Sequence, residues 1–172
     1  MMKKIYILVF LLLFCLPNKA FAYDCELDKI KTGADVNELK KIGILVFGQD
    51  QYGGSMLMLP IEDVCKNSDG VEGIILNLFF IKNKLVKINF ENIFSKKQIL
   101  FDIANNIYKA NLEKNEAKSK NDETEIYSAT QNDNFFFYAF LRNGDQHSEY
   151  LEINSNKHRD KISEYLLKRE GQ

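Results

Sequence analysis

Asp145, Gln146, His147, Ser148 and Glu149 together hold every residue type of a serine nucleophile with its base and acid. That chemistry needs the three groups to converge from separate parts of a fold, facing donors aimed at the developing oxyanion. Neighbours in one short stretch do not reach this geometry, so the segment reads as a polar hairpin loop. His158, in Lys157-His158-Arg159-Asp160, reads as a solvated residue at a helix start. Gly53-Gly54-Ser55 lacks the following glycine of a nucleophile elbow and the Gly-Lys-Ser/Thr ending of a phosphate loop. Glu62-Asp63 fits first-turn helix acids, drawn to the positive end of the helix dipole. Two histidines and three cysteines supply no spaced zinc ligand set. The expectation is a noncatalytic protein without cofactor or metal. An envelope hydrolase built on Ser55, His147, Ser148 and the acids is the enzyme alternative.

The start of the chain sets the compartment. Met1 to Lys4 is short and basic, residues 5–16 are apolar, and Pro17-Asn18-Lys19 breaks the run before Ala20-Phe21-Ala22. This is the order of a secretory signal, with cleavage after Ala22 and a mature start at Tyr23. Twelve apolar residues rise about 18 Å as a helix, against roughly 30 Å of hydrocarbon, which disfavours an uncleaved anchor. A lipoprotein signal ending at Cys15 is a second alternative, although Phe14 stands where a small residue is usual. No later run reaches 18 apolar residues, so no further membrane-spanning helix is expected. A periplasmic or secreted location follows, with one domain over residues 23–172.

Loss of the leader removes Lys3, Lys4 and Lys19 and takes the formal charge from −1 to −4. An acidic chain is a poor binder of nucleic acid or anionic membrane by bulk charge. Loss of Cys15 leaves Cys25 and Cys65. In an oxidising compartment an even pair reads as one disulfide, with a reactive thiol as the alternative. The bond would close a loop of about 41 residues, worth roughly 4 kcal/mol of chain entropy.

The elements follow from periodicity. Asp35 and Glu38 form a capping box for a short helix that stops at Gly43. Residues 44–47 and 56–59 read as strands, and Pro60 opens a helical turn running to Cys65. Residues 71–81 and 85–90 flank a turn at Lys82-Asn83-Lys84. The second of these strands has a wet face carrying Lys87, Asn89 and Glu91. The first is apolar on both faces, as a doubly covered strand would be. Ser95 and Gln98 cap a helix to residue 112, and residues 113–125 are charged and loop-like. Strands at 125–130, 134–141 and 149–153 follow, turning at Asn132-Asp133 and Asn143-Gly144, and a helix spans 157–169. This order predicts an α+β fold, a single antiparallel sheet with helices packed mainly on one face.

In outline the chain resembles small secreted bacterial proteins of BamE/SmpA-like or beta-lactamase-inhibitor-like architecture. The likeness lies in Lys31-Thr32-Gly33 with the helix over 35–43, the hairpin over 78–90, the helix over 95–112 and the strands over 125–153. The chain departs from these proteins in lacking a clear lipobox cysteine and any tryptophan. The resemblance implies a noncatalytic role, inhibiting a partner or scaffolding an envelope assembly.

Phe135-Phe136-Phe137-Tyr138-Ala139-Phe140 is the most aromatic segment. As a strand it turns Phe136, Tyr138 and Phe140 one way and Phe135, Phe137 and Ala139 the other. It is either a central strand covered on both sides or a strand with one aromatic face turned to a partner. On the second reading Phe136, Tyr138 and Phe140 form the partner-binding set, rimmed by Tyr52, Asp133 and Asp145. The function expected is therefore an exported protein-binding module with a protein partner in the envelope. A small apolar ligand held between helices and sheet is the remaining alternative.

Overall fold

In a computed structural model of the chain, residues 24–67, 69–119 and 123–171 are described. The expected leader and its expected cleavage after Ala22 lie outside the described residues.

Seven strands form one antiparallel sheet, and two more form a small separate pair. In chain order they are β1 (Asp24–Cys25), β2 (Gly54–Pro60), β3 (Cys65–Asn67), β4 (Ile75–Ile81), β5 (Lys84–Ser95), β6 (Glu113–Lys114), β7 (Thr124–Gln131), β8 (Asn134–Asn143) and β9 (Gln146–Ser155). The helices are α1 (Val36–Lys40), α2 (Ile99–Asp102), which continues as a wider turn over Ile103–Ile107, and α3 (Arg159–Glu170). The main sheet runs β2-β4-β5-β9-β8-β7-β6, and β1 pairs with β3. A short helix therefore precedes a strand meander twice. The last strands of the two meanders, β5 and β9, pair at the middle, where Phe90 faces Leu151.

Local chemistry explains the tight turns. Lys82 and Asn83 hold φ of 49° and 65°, and Asn132 and Asp133 hold 50° and 61°. Two consecutive left-handed residues match the right-handed twist of a two-residue hairpin, and Asn and Asp tolerate that region. α1 carries the expected capping box. Asp35 Oδ1 accepts from Asn37 N at 2.9 Å, and Glu38 Oε2 from Asp35 N at 2.9 Å.

The core lies between the inner sheet face and the segment from Leu27 through α1 and α2. Leu76, Leu78 and Phe80 of β4, Ile88 and Phe90 of β5, and Leu151 and Ile153 of β9 pack with Leu27, Ile30, Leu39, Leu100 and Ile103. Each such burial contributes about 1.5–3 kcal/mol before entropy is charged against it. The helices are not confined to that side. α3 sets Ile162 and Tyr165 against Ile81, Val86 and Phe79, a second cluster on the outer face.

Two expected elements change, and one expected cap. Residues 44–47 form no strand, although Ile44 and Val46 pack into the core and Leu45 and Phe47 point out. Among the described residues they have no neighbouring strand to complete a ladder. The expected helix to 112 ends at Ile107, because Lys109 and Asn111 take φ of 56° and 53°. Ser95 ends β5 instead of capping that helix. Cys25 and Cys65 face each other across β1 and β3 and are bridged, sulfurs 2.06 Å apart. Their Cα atoms lie 3.9 Å apart, closer than the usual disulfide range of about 4.4–6.8 Å.

Candidate functional site

Side-chain alternation assigns the outer face, and register aligns it in rows. One row crosses the sheet as Met56, Phe79, Lys87, Asn154, Phe135 and Thr130. The next is Met58, Asn77, Asn89, Glu152, Phe137 and Ser128, and the third Pro60, Ile75, Glu91, Tyr150, Ala139 and Ile126. Each row is polar over β5 and β9, with methionine or proline on β2 and phenylalanine or alanine on β8 to either side.

The polar middle is tightly bonded. Glu152 Oε2 lies 2.6 Å from Lys87 Nζ and accepts from the Tyr150 hydroxyl at 2.7 Å. Its other oxygen accepts from Asn154 Nδ2. Burial pushes the Glu152 carboxyl up, but these three donors outweigh it and hold the group below the usual carboxylate range. Burial, with Glu152 beside it, pushes the Tyr150 phenol well above its ordinary value. Asn77 Nδ2 donates to Glu91 Oε1 at 3.2 Å. The side-chain oxygens of Asn77 and Asn89, which face each other across β4 and β5, are buried and have no partner among the described residues. A buried acceptor left unpaired costs about 1–3 kcal/mol.

Apolar groups flank this middle. Met56 and Met58 are 69% and 63% exposed on one side, and Phe135 is 36% exposed on the other. Phe137 is half-buried, its ring 6.4 Å edge-on from that of Tyr150. α3 crosses one end of the face and leaves a groove on each side. One, of about 700 Å³, is lined by Phe135, Asn154 and Ile162, and the other, of about 690 Å³, by Tyr52, Met56, Phe79 and Arg169.

The residues expected to bind a partner do not converge. Phe136, Tyr138 and Phe140 are 3%, 0% and 4% exposed and belong to the core, because their side of β8 faces α2 and the inner cluster. They are corrected from contact set to core, and the outward set is Phe135 and Phe137. Tyr52 borders the groove by Tyr165, with ring centroids 6.5 Å apart. Asp133 is exposed in the β7–β8 turn, where its carbonyl accepts from Asn156 N at 2.8 Å. Asp145 is exposed in the β8–β9 turn, at the other end of a strand roughly 30 Å long. The reading from sequence missed Met56, Met58, Asn77, Asn89 and Tyr150. The available signals were the alternating methionines of a short strand and an asparagine set inside an otherwise apolar one.

The hydrolase residues are also apart. His147 faces Arg142 across β9 and β8, with its ring 5.4 Å from Phe140. Ser148 points to the opposite side of β9, and Ser55 lies on β2 across from Phe80. His158 is buried rather than solvated, with Nδ1 2.9 Å from Ser155 Oγ. Burial and the charges of Lys161 and Lys157 hold it below the ordinary histidine value. Glu149 is 3% exposed and accepts from Ser95 Oγ at 2.7 Å, Tyr138 hydroxyl at 2.9 Å, Leu100 N at 3.0 Å and Ile99 N at 3.1 Å. Burial pushes its carboxyl up against the pull of those donors. This carboxyl ties the start of α2 to β5, β8 and β9, and its bonding capacity is used within the fold.

Among the described residues no cluster of histidine, cysteine and acids could hold a metal, and no helix is long and apolar enough to cross a membrane. No family model, curated protein or solved structure matches this chain.

Proposed function

We propose that this is an exported, noncatalytic protein-binding module of the inhibitor, immunity-type or envelope accessory kind, and that the outer sheet face is its contact surface. The observation that carries the reading is the polar strip of Lys87, Asn89, Glu91 and Glu152, set between the exposed Met56 and Met58 on one side and the partly exposed Phe135 on the other. A polar, hydrogen-bonding strip with aromatic and methionine flanks is the composition of a protein interface. The expected leader, the −4 charge the chain would carry without it and the bridged cysteines support an envelope protein that meets a basic partner. The outline likeness to BamE/SmpA-like and beta-lactamase-inhibitor-like proteins supports the same class.

The alternatives have less support. Ser55, His147 and Ser148 do not share a cleft. A small apolar ligand was expected between helices and sheet, and the two large grooves between α3 and the sheet are open and carry Asn154 and Arg159 in one and Asp50 and Arg169 in the other, a poor lining for such a ligand. The test is capture from envelope extract with the wild type and with a Phe135→Ser/Phe137→Ser variant of equal melting temperature. A saturable partner held by the first and lost by the second is expected. Recovery of no saturable partner, or equal capture by both proteins, would overturn the proposal.

A further inference from the structure

The two edges of the main sheet end differently. β6 has two residues, both charged and exposed, opposite Ser128 and Tyr127. A short charged edge strand discourages pairing with another chain. β2, at the other edge, runs seven residues with no charged side chain and no shift in its register against β4. Its Met56 and Met58 are strongly exposed.

The free hydrogen-bonding groups of β2 can be located. Lys82 N donates to Gly53 O at 2.8 Å and Ile61 N to Ile74 O at 2.9 Å, fixing the rungs at both ends of the β2–β4 ladder. Alternation then turns the backbone groups of Ser55, Leu57 and Leu59 towards β4, and those of Gly54, Met56, Met58 and Pro60 outwards. Gly54 is already engaged, since its N–H donates to Asp50 Oδ1 and its carbonyl accepts from Asp50 N, each at 2.8 Å. Pro60 has no N–H. Complete donor and acceptor pairs therefore remain at Met56 and Met58 alone.

We propose that β2 pairs antiparallel with β2 of a second copy about a two-fold axis through Leu57, placing Met56 opposite Met58 of the other copy. This register makes four backbone hydrogen bonds and leaves neither residue's groups unpaired. Pairing Met58 with itself would set Met56 against Pro60, which cannot donate. Pairing Met56 with itself would set Met58 against Gly54, whose groups Asp50 already occupies. The uncharged run brings no like charges to the axis. The antiparallel sense also carries the Glu62-Asp63 end of each strand towards the Gly54 end of the other, where Arg169 lines the groove beside Met56. Asp63 is exposed, so an acid of each copy is turned towards that end of the other. An isologous contact of this kind closes on itself and stops at two copies.

This pairing does not depend on the outer face having a protein partner. It is tested by sedimentation equilibrium of the oxidised, exported protein, together with Met58→Pro, Met58→Lys and Leu57→Cys. The wild type is expected at twice the monomer mass. Met58→Pro removes an outward N–H and Met58→Lys places a cation beside the axis, so each should return the monomer with an unchanged far-ultraviolet circular dichroism spectrum. Leu57→Cys should give a covalent dimer that a reductant dissolves. A wild type that stays monomeric over the whole concentration series, a dimer that persists in both Met58 variants, or a Leu57→Cys protein with no cross-link would each overturn the proposal. The cross-link decides the matter if both Met58 variants fail to fold.

Discussion

The ring of Tyr165 occupies the space that a side chain at Gly54 would need. A Cβ at Gly54 would lie 2.3 Å from Tyr165 Cε2. The same tyrosine donates its hydroxyl to Asp50 Oδ2 at 2.6 Å, while Asp50 Oδ1 accepts from Tyr52 N at 2.9 Å and Gly54 N at 2.8 Å. These bonds, led by that from Tyr165, hold the Asp50 carboxyl below its usual range. One aromatic side chain thus keys α3 onto the start of β2, and it does so only because residue 54 is glycine.

Gly54→Ala is therefore expected to destabilise the fold by about 1–3 kcal/mol through overpacking. In a Tyr165→Ala background the same change should cost close to nothing, because the obstructing ring is gone. Urea unfolding of the four proteins in this cycle measures the coupling. Additive losses would show that the two positions do not compete for space.

Glu149 and Glu152 lie three residues apart on opposite faces of β9 and are shifted in opposite directions. Burial raises Glu149, so its contribution to stability is full below the ordinary glutamate range and is lost as pH rises through its folded value. Glu152 is lowered, so its contribution is full above that range and is lost as pH falls through its folded value. A carboxyl-carbon NMR titration should place the Glu149 midpoint above that of Glu152. The reverse order would contradict the bonding described on both faces.

The strands were readable from sequence where one face is wet. Lys87, Asn89 and Glu91 alternate with Val86, Ile88 and Phe90, and that alternation survives in β5. Asp35 and Glu38 likewise act through bonds only three residues long. What could not be read depends on distant partners. Ser95 leaves its expected capping role because Glu149, 54 residues away, accepts its hydroxyl. Residues 44–47 have strand composition, but among the described residues no neighbour completes their ladder. The aromatic run of β8 showed its alternation plainly. Both of its faces are aromatic, however, so only the packing of α1 and α2 decides which one is core.

The bridge between Cys25 and Cys65 joins β1 to β3 across a sequence separation of 40. A loop of that size is expected to contribute roughly 4 kcal/mol by restricting the unfolded chain. The Cys25→Ser/Cys65→Ser protein should therefore unfold at a clearly lower urea concentration than the oxidised wild type. Coincident unfolding curves would show that the constraint contributes nothing.

The two faces of β8 should respond to mutation in different ways. Phe136 and Phe140 lie in the inner core, and Tyr138 packs edge-on against Phe101 at 5.4 Å and Tyr127 at 5.8 Å. Phe136→Ala should cost about 3–5 kcal/mol, because the cavity it leaves is enclosed by packed neighbours. Phe135 is partly exposed and rests at the edge of the groove beside α3, so Phe135→Ser should lie within about 1 kcal/mol of wild type. Partner capture should follow the opposite order. Phe135→Ser should lose binding at nearly full stability, whereas a conservative core change such as Phe136→Leu should keep binding while lowering the melting temperature. Calorimetry and capture on the same preparations separate the two effects. If Phe136→Leu lost binding in a folded protein while Phe135→Ser kept it, the contact surface would have to be sought on another face of the molecule.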